Sequence, residues 1–193
     1  MTAASAELAA ALAERVPEAR IRTAFGQSWT ELPLAAWRTA ALAARDALGC
    51  ALFDWLGAED AGRPGASGAR HAVSLHVVNP DRHLGLLLRT EVAEDEALPS
   101  VASVWAGAAW HEREAAEMLG IALAGHPGPE RLLLPASFTG HPLRKDFVLA
   151  SRVVRPWPGR LEPGEDSAAP PGRRRLTPPG VPDPSWGPRR EES

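Results

Sequence analysis

The sequence predicts an α+β fold: a two-layer body of helices on an antiparallel sheet, then an extended partner-binding segment and a disordered tail. Three observations predict it. Helix, strand and helix patterns are followed by a strand meander closed at Asn79-Pro80-Asp81. A charged helical stretch then gives way to a segment with no period, rich in Gly and Pro. Finally, 10 of the 19 prolines fall in residues 151–193, where apolar patterning stops.

Residues 5–16 read as a helix, because Leu8, Ala11, Leu12 and Val16 recur at helical spacing. Residues 21–29 read as a strand. Pro33 sits where a helix starts, and good helix formers continue over 34–48 to Gly49. Residues 50–56 read as a strand and 57–68 as a Gly/Pro/Ala loop. Residues 71–78 and 84–92 are the meander pair, with His71 and His76 on opposite strand faces because they differ by five. Residues 101–119 read as one helix or two short ones, with Ser100 as candidate N-cap and Gly120 at C′. At about 100° per residue, Glu112 and Glu114 point nearly opposite ways and do not form a carboxylate pair. Arg113 and Glu117, four apart, are spaced to pair, whereas Glu114 and Glu117 repel. Residues 1–150 form one domain, and 151–193 are its Pro/Arg-rich disordered tail.

The formal net charge is −3, with about +2 in 151–193 and about −5 in the body. That argues against a general nucleic-acid binder. No run of 18 apolar residues suggests a membrane span. The first residues lack the basic start of a signal peptide and carry Glu7 and Glu14. One cysteine, Cys50, excludes an internal disulfide and cysteine-held clusters or zinc. The cytoplasm is therefore the expected compartment.

Chemistry-bearing residues gather between 98 and 147. The triplets Gly125-His126-Pro127 and Gly140-His141-Pro142 are stiff turns that each aim a histidine. Between them Leu132, Leu133 and Leu134 are apolar but too short to make a layer, so this segment must lie on its own body or on another protein. No glycine-rich phosphate loop follows a strand, and His111-Glu112 begins like a zincin helix but has Ala115 where a second histidine is needed. His126, Glu130 and His141 are the remaining candidates for a metal. Trp105 and Trp110 are expected as core or interface anchors.

The stretch LPSVASVWAGAAWHEREAAEMLGIALAGHP, then ERLLLP, then GHPLRKDF, resembles the thirty-kilodalton subunit family of respiratory complex I, which in bacteria is the C-type subunit of NADH–quinone oxidoreductase. The resemblance is strong over 98–147, and the preceding strand pair and helix agree in order. The sequence departs at Ala115, Ala116, Leu119, Leu123, Gly128 and Phe147, mostly where the family carries aromatic or acidic residues.

The resemblance implies a non-catalytic scaffold of the peripheral arm, with no catalytic, cofactor or metal residues of its own. NADH, quinone, FMN and iron–sulfur clusters would belong to the complex. Its implied partners are the D-type subunit (the forty-nine-kilodalton-like chain) and the iron–sulfur subunits (B and I). Its implied location is the cytoplasmic face of the cell membrane, with no membrane contact of its own. Signature and interface residues would be Trp110, Glu112, Arg113, Glu114, Gly120, Gly125, His126, Pro127, Arg131, Gly140, His141, Pro142, Leu143, Arg144, Lys145 and Asp146. In this reading the histidines hold loop turns rather than a metal. The alternatives are the same role in a membrane-bound hydrogenase or ferredoxin-type quinone oxidoreductase, and, more remotely, a metal-dependent hydrolase using His126 and His141 with Glu112 or Glu114.

Overall fold

The computed structural model describes residues 2–62 and 70–147. The segment 151–193 and positions 63–68 of the expected loop lie outside the described residues. Helix α1 (Thr2–Ala13) buries Leu8, Ala9 and Leu12. A 3-10 turn (Leu34–Ala36) leads from Pro33 into α2 (Trp37–Asp46), whose Trp37, Ala40, Ala41 and Ala44 enter the same core. The small residues let α2 approach closely, and Trp37 fills the volume they leave.

Strands β1 (Arg20–Ala24), β2 (Gln27–Leu32), β3 (Leu52–Asp60), β4 (Arg70–Asn79) and β5 (Leu84–Ala93) form one sheet in the order β1-β2-β5-β4-β3. Val73, Leu75 and Val77 of β4 alternate inward, opposite Thr90, Leu88 and Leu86 of β5. Helix α1 packs on β2 and β5 over this face. The fold is α+β as expected. The sheet, expected to be antiparallel, is mixed, because β2 runs parallel to β5 while the other three ladders are antiparallel. A parallel pair needs a long crossover, and the chain between β2 and β5 supplies it with α2, β3 and β4.

Three elements differ from their sequence reading. The strand expected over 21–29 is a hairpin, turned at Phe25 (φ 50°) and Gly26 (φ 73°). Two positive φ values make the tight turn that matches strand twist, and Phe in the first position hides the usual Asn or Asp signal. Strand β3 runs on through Gly57–Asp60, expected as loop, because that stretch pairs with His71–Ser74 of β4. Residues 101–107 are turns, and α3 begins only at Ala108 (Ala108–Leu119). Ser100 Oγ accepts the Ala102 N–H and so caps a turn rather than this helix. Two short strands, β6 (Ala97–Pro99) and β7 (Ala122–Ala124), pair in parallel and bracket α3.

Candidate functional site

Helix α3 carries the charged signature, and its faces do separate work. The inner side holds Glu112, fully buried. Its Oε2 accepts the Ser100 hydroxyl at 2.6 Å and its Oε1 the Val101 N–H at 2.6 Å. This pulls the preceding chain back onto the helix and explains why 101–107 is not helical. Burial pushes the Glu112 carboxyl above its usual range, against the pull of these hydrogen bonds and of His126 and Arg38. Glu114, as its angle requires, is exposed. Trp105 is buried and donates its indole N–H to the Cys50 carbonyl, while Trp110 is 65% exposed.

The outer stripe of α3 holds the segment 121–147, a ribbon laid along it. The expected Arg113–Glu117 pairing gives way to a shared task. Arg113 donates to the carbonyls of Glu130 (2.7 Å) and Arg131 (2.8 Å). Glu117 accepts three successive N–H groups, from Leu132, Leu133 and Leu134, at 3.2, 2.7 and 2.9 Å. Burial alone would raise the Glu117 carboxyl, but the three N–H donors and the nearby Arg131 charge hold it below its usual value. Arg131 in turn bonds the carbonyls of Pro135 and Phe138. The 130–138 loop is thus fixed along its length by charged side chains.

The two histidines fasten the ribbon's ends. His126 Nδ1 accepts the Gly128 N–H at 3.0 Å, so its proton lies on Nε2, 3.1 Å from the Ala109 carbonyl. Its Nε2 also lies 3.8 Å from Glu112 Oε2. His141 Nδ1 donates to the Glu117 carbonyl at 2.8 Å. Gly120 ends α3 with φ 80°, and a Cβ there would meet the His141 ring at 2.7 Å. Gly125 and Gly140 also take positive φ, at 73° and 92°. His126, Glu130 and His141 do not converge, and no group of three or more metal-ligating side chains occurs among the described residues.

Beyond His141, the Leu143 N–H bonds the Met118 carbonyl. Arg144 pairs with Glu94 (3.2 Å) and Asp146 (3.3 Å). Lys145 reaches the end of β3, its N–H on Asp60 and its ammonium on the Gly62 carbonyl. The sequence reading paired Glu117 with Arg113 but left it out of the site, and it missed Asp60 and Glu94. Glu117 had a usable signal, since it falls on the stripe of Arg113. Asp60 and Glu94 had none, because only the sheet register brings them to the ribbon. The ribbon is covered on one side only: after Ile121 none of its residues is fully buried, and Leu133 and Leu143 are 57% and 59% exposed. Pro127 is exposed and Pro142 half-buried. No helix among the described residues is long and apolar enough to cross a membrane.

Comparison with known proteins gives a consistent result. The family described as "Respiratory-chain NADH dehydrogenase, 30 Kd subunit" matches residues 31–153. Proteins named as the C-type subunit of NADH-quinone oxidoreductase are similar. That of Dechloromonas aromatica is 47% identical over 89 residues, 45% of this chain and 44% of that protein. That of Agrobacterium fabrum is 46% identical over 84 residues, 44% of this chain and 42% of that protein. The matches thus span less than half the length of these curated relatives. Among solved structures, a chain of the membrane-bound sulfane sulfur reductase, an archaeal respiratory membrane complex, aligns with TM-score 0.56 at 18% identity. It covers 75% of this chain and 85% of that one, and shows the shared fold.

Proposed function

The chain belongs to the family of the respiratory-chain NADH dehydrogenase 30 Kd subunit, and from that membership we propose that it is a non-catalytic scaffold of the peripheral arm of a proton-translocating NADH–quinone oxidoreductase. Its role is positional. It braces the D-type subunit and the neighbouring iron–sulfur subunits near the quinone site, where electron transfer needs fixed spacing between centres held by other chains. NADH, FMN, quinone and iron–sulfur clusters are assigned to the complex and not to this chain, which reaches the cytoplasmic face of the membrane only through its partners.

The observation that carries this reading is the one-sided ribbon. Many of its polar groups are tied to α3, to β3 and to each other, while Leu133, Leu143 and Trp110 stay in water. Exposed apolar groups on a fixed backbone suit docking, since the ordering cost is already met within the fold. Co-expression with the D-type subunit is expected to give a stable pair, and the isolated chain is expected to show no reductase activity. Failure to recover the pair contradicts the scaffold reading. The departures at Ala115, Ala116, Leu119 and Leu123 favour a second reading, the same scaffold in a hydrogenase or ferredoxin-type complex. Co-purification of the native assembly and its electron donor decides between the hosts.

A further inference from the structure

Between α3 and the ribbon lies a pocket of about 190 Å³, lined among others by Arg113, Ala116, Glu117, Glu130, Arg131 and His141. It is smaller than the roughly 300–1,000 Å³ of cofactor pockets, and suits one side chain. Resting on the docking reading above, we propose that it receives a single acidic side chain of the partner subunit.

The argument is one of unspent donors. Arg113 uses Nε and Nη2 on the carbonyls of Glu130 and Arg131, which leaves Nη1 without a hydrogen bond among the described residues. Arg131 uses only Nη1, on Pro135 and Phe138, which leaves Nε and Nη2 without a hydrogen bond among the described residues. Each guanidinium is held by two carbonyls, so its remaining N–H groups are aimed before any partner arrives. Aimed forks of this kind favour a carboxylate. Glu117, inside the pocket, keeps its negative charge, which Arg131 partly offsets, but both its oxygens are engaged by three backbone N–H groups and do not take up the free guanidinium N–H groups. His141 has its Nδ1 proton committed to the Glu117 carbonyl. Glu130 is the exposed acid at the rim, and it opposes an acidic guest.

The test uses the full chain and the D-type subunit, with affinity measured at low and high salt (about 0.05 and 0.5 M). Ala116→Leu fills the pocket without removing a bond, and is expected to weaken the pair about tenfold. Glu130→Gln removes the opposing charge and is expected to tighten it about threefold. High salt is expected to weaken the wild-type pair more than the Ala116→Leu pair. Leu133→Asp, at the exposed crest, is the control for docking itself and is expected to abolish the pair. Wild-type affinity for Ala116→Leu with loss for Leu133→Asp overturns the pocket and leaves the docking reading standing. Wild-type affinity for both overturns docking. Weaker binding by Glu130→Gln means a basic guest and overturns the assignment, as does a salt-independent loss in Ala116→Leu. Glu130→Gln leaves the backbone carbonyl that Arg113 uses in place, so it decides the question even where Ala116→Leu proves unstable.

Discussion

Two carboxylates five residues apart on α3 meet opposite environments and should answer pH oppositely. Glu117 lies below its ordinary value of 4.5 when folded. Its contribution to holding the loop is present above that value and is lost as pH falls through the folded pKa. The amide protons of Leu133 and Leu134 are therefore expected to titrate with a midpoint below 4.5 by NMR, and a midpoint above it contradicts the assignment. Glu112 is shifted the other way, so its contribution is full below 4.5 and declines as pH rises through the raised folded pKa. Glu112→Ala leaves the Val101 N–H and the Ser100 hydroxyl buried without an acceptor, and is expected to cost about 3 kcal/mol in urea unfolding. A loss under about 1 kcal/mol would show that solvent replaces the carboxylate. The angular separation of Glu112 and Glu114 was legible from helix geometry. The fate of Arg113 and Glu117 was not, because i,i+4 spacing names an intrahelical pair and is silent about carbonyls and amides arriving from residues 130–134.

At the scale of elements, the ribbon is a set of latches on a preformed frame. Gly120 joins the two most tightly, ending α3 in a left-handed conformation with the His141 ring against it. Gly120→Ala is expected to cost about 2 kcal/mol from backbone conformation alone, and to displace His141 from the Glu117 carbonyl. Thermal melts and the His141 ring resonances check both. Arg144→Ala removes exposed ion pairs to Glu94 and Asp146 and is expected to cost about 0.5 kcal/mol in the isolated chain. Its larger effect is expected on assembly yield. The meander and α2 were plain in the sequence because their periods are regular and Pro33 and Asn79-Pro80 mark their ends. The β1–β2 hairpin was not, because its turn is Phe25-Gly26. The far half of β3 was not either, because Gly57 looks like a breaker until β4 pairs with it.

Over the whole molecule, one sheet face is closed by α1 and by α2's apolar residues, and the far edge is closed by α3 on β3. The residues of α3 and the ribbon divide into those bonded within the chain and those left exposed. Glu112, His126, His141, Arg144 and Lys145 bond within the chain, as do Arg113 and Arg131 with donors to spare. Trp110 on α3 and Leu143 on the ribbon are exposed, and so is Leu133. The sequence pattern marked the ribbon as a segment that must rest on something. Only the structure shows that one side rests on its own helix while the other is exposed, the side on which the docking proposal rests. Cysteine labelling of Leu133→Cys, in the chain alone and in the assembled peripheral arm, tests this most directly. The sole native thiol, Cys50, is buried with its pKa pushed up to about 11, so background reaction is small. Fast labelling of the isolated chain and protection of about tenfold or more in the assembly is the expected result; equal rates in both would mean that the ribbon faces water in the complex, and would contradict the scaffold account.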